Sequence, residues 1–131
     1  MSHNPPADQK WAERWDQLYE ALGAEPRRMI IASLLDGPRE RRFPLPDVAE
    51  SPTQPIDSET LSINLRHHHL PLLAEAGYVC WEDEPFVVQR GPRFDEPAFI
   101  ISTVTKSIDE LPEALVDNCK IFKERVENER A

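Results

Sequence analysis

Apolar residues between positions 61 and 76 recur at the spacing of an α-helix and predict one buried helical face. That face comprises Leu61, Leu65, Leu72 and Ala76. Asp57 or Ser58 can cap the helix start by accepting unpaired backbone N–H groups of the first turn. Gly77 can take the left-handed conformation that ends the helix. The following residues, 78–81, have the aromatic and β-branched character of a strand. The pattern therefore predicts a helix that runs directly into a β-strand.

A hairpin is expected directly after this helix. Residues 78–82 should pair with residues 86–89 around a turn at 83–85. A short helix, a turn, a longer helix and a two-stranded wing, in that order, are the parts of a winged helix-turn-helix. The pattern therefore predicts a mainly α fold with a small β-hairpin wing, in which residues 58–76 are the reading helix.

The N-terminal part predicts three more helices behind a polar, proline-rich segment, residues 1–8, that is expected to be disordered. The first helix ends at Gly23, and its apolar stripe comprises Trp11, Trp15, Leu18, Tyr19 and Leu22. Two tryptophans on such a stripe indicate a core or dimer face. The second helix begins at Glu25-Pro26 and ends before Gly37. Residues 45–49 predict a short third helix, and residues 51–56 predict a long turn.

Residues 94–131 predict a helical extension of the winged-helix domain, which spans residues 9–93. Residues 97–104 are one apolar piece, and a longer helix begins at about Glu110 with Asp109 as its cap. The apolar stripe of that helix comprises Leu111, Leu115, Cys119, Phe122 and Val126. The helix is too short to be stable alone, so it should dock on the domain or on a second copy of the chain.

Charge changes this picture. The chain has 24 acidic and 15 basic residues and a net charge of −9, and only four of the basic residues are lysines. This composition is expected of a salt-rich cytoplasm, although an ordinary acidic protein has it too. Negative charge opposes contact with phosphate, but near-molar salt screens the repulsion within about 3 Å. Base contacts and shape would then carry more of any specificity.

Several function classes find no support in the sequence. No stretch is long and apolar enough to cross a bilayer, and residues 1–10 lack a signal-peptide core. We therefore expect a cytoplasmic protein without a membrane partner. Cys80 and Cys119 have no metal or redox spacing and are expected to be packed thiols. Without a phosphate-cradling glycine loop or a nucleophile–base arrangement, we predict no enzyme activity, no catalytic residue and no cofactor.

The order of elements and two motifs resemble small winged-helix proteins of haloarchaea, an uncharacterised ArsR-like family of transcriptional regulators. The match covers roughly residues 15–90 and is most specific in the H-L-P and A-G block. The matching residues are Pro26, Arg27, Arg28, Leu61, Ile63, Leu65, His67, His69, Leu70, Pro71, Leu73, Ala76, Gly77 and Val79. The chain departs from the family in its compact proline-rich turn, where such proteins often have a longer acidic insert. The resemblance implies a DNA-binding fold and a haloarchaeal cytoplasm, but no operator or ligand.

The candidate DNA contacts lie on the outer face of the reading helix. That face comprises Thr60, Ile63, Asn64 and His67, with Arg66 at its flank. Side chains on the N-terminal half of such a helix reach base edges in the major groove. Asn64 can pair with adenine, His67 can meet a guanine acceptor and Ile63 can touch a thymine methyl. Arg66 is placed for a phosphate. The alternative, that these side chains are simply solvated, has equal weight.

Basic residues cluster only between positions 27 and 42, where the net charge is +3. The cluster comprises Arg27, Arg28, Arg39, Arg41 and Arg42, with Asp36 and Glu40 among them. Together with Arg90 and Arg93 near the wing, these residues are candidates for phosphate contacts that flank the groove. Surface salt bridges with the excess carboxylates are the alternative.

Three consecutive histidines, His67 to His69, invite a metal site. Consecutive helical side chains point about 100° apart, so they do not converge on one ion, and we predict no metal. His69 falls in the buried arc and is expected to be hydrogen-bonded. Pro71 removes the N–H bond to the carbonyl of His67 and predicts a bend between a DNA-facing front half and a core-facing rear half.

Two functions follow from the sequence. The first is a dimeric transcriptional regulator that binds double-stranded DNA through residues 58–67 and the wing, with a homodimer formed by the terminal helices. The second is a winged-helix protein–protein interaction module without DNA binding. It is supported by the acidic charge, by the single arginine on the reading helix and by the apolar end helices.

Overall fold

The computed structural model describes residues 7–51 and 56–117, which are mainly helical with a small three-stranded antiparallel sheet. The helices are α1 (Ala7–Ala21), α2 (Glu25–Asp36), α3 (Ser58–Asn64), α4 (Leu70–Glu75), α5 (Asp95–Lys106) and α6 (Glu113–Asp117). The strands are β1 (Phe43–Pro44), β2 (Val79–Glu82) and β3 (Val87–Arg90), in the order β1-β3-β2. One turn of π-helix, Leu65–His69, joins α3 to α4, and single 3-10 turns cover Asp47–Ala49 and Ile108–Glu110.

The first two helices confirm the N-terminal prediction. α1 starts at Ala7, so residues 7 and 8 are helical, and residues 1–6 of the segment expected to be disordered lie outside the described residues. Leu18 and Ala21 of α1 are buried, whereas Trp11 and Tyr19 are exposed. The aromatic part of the stripe therefore does not enter the core of this chain.

The helix predicted over residues 45–49 is wrong in its extent. A two-residue strand, Phe43–Pro44, instead pairs with β3, and only Asp47–Ala49 form a helical turn. Proline has no N–H with which to continue a helix. Because Pro44 and Pro46 are two residues apart, the helical turn starts only after the second proline.

The reading helix, which comprises α3, the π turn and α4, changes its hydrogen bonding halfway. The N–H of Leu70 donates to the carbonyl of Leu65, five residues back. Pro71 follows in the first turn of α4 and has no N–H for the carbonyl four residues back. The wider turn carries the chain past this proline. A bend was predicted at Pro71, and the structure has a π turn directly before this proline.

The π turn also shifts the buried face. Leu61, Leu65 and Ala76 are buried as predicted. Leu70, which an α-helical wheel leaves out of the buried arc, is fully buried, whereas Leu72 is only partly buried. The wheel assumes 3.6 residues per turn throughout, and the π turn adds a residue to one turn.

The end of α4 and the hairpin confirm the sequence prediction. Gly77 has a φ of 82°. The N–H groups of Gly77 and Tyr78 donate to the carbonyls of Ala74 and Leu73, at 2.9 and 3.0 Å, which is the pairing of a Schellman C-cap. β2 follows directly and pairs antiparallel with β3, within one residue of the predicted limits.

The helix predicted to begin at about Glu110, with Asp109 as its cap, is wrong in its start, because both residues lie in a 3-10 turn. α6 begins at Glu113, and the carbonyl of Pro112 accepts the N–H of Leu115 at 2.9 Å. The backbone of Leu111 is extended, with φ −69° and ψ 141°, because the ring of Pro112 disfavours the helical conformation of the residue before it. The helix therefore begins only after this proline. The remaining predictions for this helix and for the turn fall outside the described residues, at Cys119, Phe122, Val126 and 52–55.

One hydrophobic core joins α2, the reading helix, the sheet and α5. Its members include Ile30, Leu34, Leu65, Leu70, Val88 and Ile101. The core fixes one side of the reading helix and leaves the opposite side exposed. Within the described residues, no helix is both long and apolar enough to cross a membrane.

Candidate nucleic-acid interface

The predicted base-contacting side chains share the exposed side of the reading helix. Thr60, Ile63, Asn64 and His67 are all exposed, and Leu61 and Leu65 on the other side of the same segment are buried. An amide, an imidazole and a branched alkyl group thus share one surface. These groups can hydrogen-bond to purine edges and pack on a thymine methyl group, as the major groove requires.

The start of the reading helix is capped by an acidic residue. The carboxylate of Asp57 accepts the backbone N–H of Thr60 at 3.2 Å and its hydroxyl at 3.4 Å. The hydroxyl of Ser58 donates to Glu50 at 3.1 Å, so Asp57 is the cap. Its negative charge suits the positive end of the helix dipole. The same charge disfavours a phosphate at this end of the helix.

Arg66 contacts the hairpin. Its Nε donates to Oδ1 of Asp83 at 2.7 Å, and its guanidinium lies 4.0 Å from the centre of the Phe86 ring. Phe86 meets Trp81 edge to face, with ring centres 6.3 Å apart. Arg66, which was predicted to contact a phosphate, is therefore bound to the β2–β3 hairpin by an ion pair and a cation–π contact.

Arg90 stabilises the end of α2. Its guanidinium donates to the carbonyls of Leu34 at 3.0 Å and Gly37 at 2.9 Å, with a weaker contact to Leu35 at 3.4 Å. These carbonyls belong to the last turn and cap of α2, where an α-helix has no N–H four residues on to pair with them; that of Leu34 also accepts the N–H of Gly37 at 3.4 Å. The donors predicted to reach a phosphate are thus used inside the domain.

Arg93 forms an ion pair next to the sheet. Its Nε and Nη2 donate to the carboxylate of Glu96 at 3.1 and 3.2 Å, and Arg14 of α1 pairs with the same carboxylate. The hydrogen bond to Glu96 raises the pKa of Arg93. Burial opposes ionisation of Glu96, but the bonds from Arg93 and Arg14 outweigh it and lower the pKa of that carboxyl. The three side chains join α1 to α5.

The basic cluster between positions 27 and 42 is dispersed. Buried Arg27 donates to the carbonyls of Ala21 and Glu20 at 3.0 and 2.8 Å, and Arg28 donates to that of Leu22 at 2.7 Å. These two arginines therefore hold the C-terminus of α1. Arg42 pairs with Glu82 of β2 at 2.5 Å. The salt-bridge alternative thus describes Arg42, and helix capping describes Arg27 and Arg28.

His69 is hydrogen-bonded, as predicted. Its Nδ1 lies 2.8 Å from Nη1 of Arg27. Burial, followed by the nearby charges of Arg27 and His68, lowers the pKa of His69 to about 4. His69 is therefore neutral at physiological pH. Among residues 7–51 and 56–117, no group of three or more His, Cys, Asp or Glu side chains is arranged to hold a metal ion.

A second surface feature is an apolar groove between α1 and α5, with a volume of about 760 Å³. Trp11, Trp15 and Phe99 line it and are 70%, 46% and 67% exposed. Large aromatic groups concentrated on one surface of a small domain mark an interaction site more often than a solvated face. The groove lies on helices other than the reading helix.

Sequence reasoning missed the partners of the arginines rather than the exposed face. Asp83, Phe86 and Glu96 were not singled out, and only the acidic run at the hairpin turn hinted at the first of them. Comparisons with protein-family models, with curated proteins and with solved structures found no match to this chain.

Proposed function

We propose that this chain is a winged-helix transcriptional regulator that binds double-stranded DNA through the outer face of its reading helix. One observation carries the proposal. Thr60, Ile63, Asn64 and His67 share an exposed face on a helix whose other side is anchored in the core. A rigid scaffold that presents polar side chains on one helix face is the arrangement used to read the major groove.

The element order supports a winged helix. α2, β1, a helical turn, the reading helix and the β2–β3 hairpin follow one another, and β1 pairs with the hairpin. In this proposal the first helix of the helix-turn-helix is reduced to the single turn Asp47–Ala49. The reading helix is directly continuous with the wing through the Gly77 cap.

The proposed mode of binding depends more on bases than on phosphates. Arg90 and Arg93 have protein partners, and the chain carries a net charge of −9. With Arg90 and Arg93 engaged in this way, fewer phosphate contacts form, less counterion is released and non-specific affinity is weaker. Such a regulator suits a salt-rich cytoplasm, where phosphate contacts contribute less to any protein.

The test is selection from random DNA duplexes by purified protein in near-molar KCl, followed by sequencing of the bound pool. We expect an enriched, two-fold symmetric site. Asn64→Ala with His67→Ala should abolish sequence preference, because both groups would face base edges. The matched control is Thr103→Ala with Lys106→Ala, which removes two exposed side chains from α5. Absence of enrichment with folded protein, or unchanged preference in the Asn64 and His67 variant, would overturn the proposal.

The groove between α1 and α5 favours a second candidate, a protein–protein interaction module. Trp11, Trp15 and Phe99 offer the exposed aromatic surface that protein interfaces use. Under this candidate, a partner protein would lose affinity for a Trp11→Ser, Phe99→Ser variant and keep it for the Asn64 and His67 variant. If the chain is instead a regulator, DNA binding should lose its sequence preference in the Asn64 and His67 variant and keep it in the Trp11 and Phe99 variant.

A further inference from the structure

The tip of the hairpin is acidic and engages two arginines. Glu82, Asp83 and Glu84 follow one another at the end of β2 and in the turn. Glu82 accepts from Arg42 at 2.5 Å, and Asp83 accepts from Arg66 at 2.7 Å. A wing that approaches DNA would be expected to carry cations, so the function of these carboxylates requires an explanation.

Arg66 is positioned by an aromatic ring as well as by Asp83. It lies at the flank of the reading face, one residue before His67, and its guanidinium rests 4.0 Å from the centre of the Phe86 ring. Trp81 supports that ring from the side. The aromatic contact therefore places the guanidinium on the ring, and the carboxylate of Asp83 accepts its Nε–H.

A carboxylate and a phosphate bind a guanidinium through the same charge-assisted hydrogen bonds. The ion pair is also accessible, since the side chain of Arg66 is 37% exposed and that of Asp83 is 63% exposed. Exposed pairs of this kind contribute little to stability. Exchanging the carboxylate for a phosphate would therefore disturb little of the fold.

We propose that Asp83 is an internal substitute for a DNA phosphate, which holds Arg66 in the free protein and releases it to the backbone of bound DNA. The inference rests on the proposed DNA-binding function and assigns a regulatory contact to the same surface. It explains how an acidic wing is compatible with DNA binding. The carboxylate competes with weakly bound, non-specific DNA and gives way where base contacts add to the phosphate contact.

The test measures the affinity of the Asp83→Asn chain for the enriched duplex across a salt series. We expect binding to tighten by about two- to fivefold, the range that corresponds to one exposed ion pair. The slope of log affinity against log salt should steepen by up to about 0.9, the value for one phosphate contact on duplex DNA. Circular dichroism would establish that each variant is folded.

Glu84→Gln is the matched control, because it removes the same charge from the adjacent position and Glu84 has no arginine partner among the described residues. Its effect should be smaller than that of Asp83→Asn. The gain in DNA affinity should also vanish without Arg66: the double variant Arg66→Ala, Asp83→Asn should bind no more tightly than Arg66→Ala alone. Equal gains in the Asp83 and Glu84 variants, or a gain that persists without Arg66, would overturn the inference.

The wild-type chain separates the two proposals. If wild type and Asp83→Asn both fail to bind DNA, the proposed function and the inference fall together. If wild type binds with sequence preference and the Asp83 and Glu84 variants gain equally, only the inference falls. If Asp83→Asn alone binds, release of Arg66 is supported directly.

Discussion

The contact between Arg27 and His69 determines which nitrogen of the histidine carries its proton. A guanidinium donates hydrogen bonds but cannot accept them. The Nδ1 atom of His69, 2.8 Å from Nη1 of Arg27, must therefore accept, and the proton of the neutral ring lies on Nε2. Because Arg27 also holds two carbonyls at the end of α1, this one contact connects α1, α2 and the reading helix.

Acid is expected to weaken this connection. The pKa of His69 is lowered from 6.5 to about 4 in the folded chain, so the unfolded chain takes up a proton first as the pH falls. The stabilising contribution of neutral His69 is complete above pH 6.5 and is lost as the pH falls towards 4. By linkage, the free energy of unfolding should drop between about pH 7.5 and pH 5 from this group, by at most about 2 kcal/mol, because solvent screening at a half-buried site reduces the full value.

Urea unfolding at the two pH values measures this drop. His69→Asn retains an acceptor near Arg27 and does not titrate, so it should lack the His69 component of the pH dependence. His67→Asn removes an exposed histidine and should retain that component. An equal loss of stability on acidification in wild type and in the His69→Asn variant would contradict the assignment.

Residues whose effect is local could be predicted from sequence, and residues whose partners are distant could not. The Asp57 cap and the left-handed Gly77 depend on groups within a few positions, and both are confirmed. Arg90 reaches carbonyls that lie more than 50 positions earlier, and Arg66 reaches the wing 17 positions later. These arginines were predicted to contact DNA phosphates because the acceptors that they bind within the protein come close to them only in the folded chain.

At the scale of elements, periodicity identified helices but not their hydrogen-bond type. The stripes of α1 and α2 and the hairpin have the predicted positions. A single proline converted one turn of the reading helix into a π turn and moved its buried face, which no fixed period anticipates. β1 was missed because a two-residue strand has no periodicity and one of its two residues is a proline.

The shifted face predicts a ranking of two substitutions. Leu70→Ala should cost about 2–5 kcal/mol in the free energy of unfolding, because that side chain is fully buried and its loss leaves a cavity. Leu72→Ala should cost less, because that side chain is only partly buried. In one continuous α-helix, Leu72 would be buried and Leu70 would not, so Leu72→Ala would be the more costly substitution. Chemical unfolding of both variants at one pH measures the two costs. A larger loss of unfolding free energy for Leu72→Ala would contradict the π turn.

At the scale of the whole molecule, the fold class followed from sequence more readily than the interface. The prediction of a mainly helical chain with a small β element is confirmed. It could be made because every residue contributes to the hydrophobic pattern on which it rests. The net charge of −9 was also visible, but its distribution was not. Ion pairs such as Arg42 with Glu82 join distant segments and neutralise cations that the sequence shows as a free cluster.

The exposed aromatic groove leads to a prediction about assembly. Trp11, Trp15 and Phe99 line the groove, and Tyr19 lies beside it against Trp15. Together these four exposed side chains present roughly 500 Å², if each contributes about 200 Å² when fully uncovered. A standard interface buries about 800 Å² on each partner, so these four side chains would supply more than half of it. We therefore expect a homodimer through α1 and α5, which would also place two reading helices on a two-fold symmetric site.

Light scattering on a sizing column, at micromolar protein in near-molar KCl, tests the dimer. Wild type should elute with twice the mass of one chain, and Trp11→Ser with Phe99→Ser should elute with the mass of one chain, because the apolar area that drives association is removed. Ile63→Ser is the control, since Ile63 is an exposed apolar residue on the reading face and not in the groove. If folded wild type had the mass of a single chain, the predicted dimer would be contradicted. A dimer that survives both groove substitutions would place the contact elsewhere on the chain.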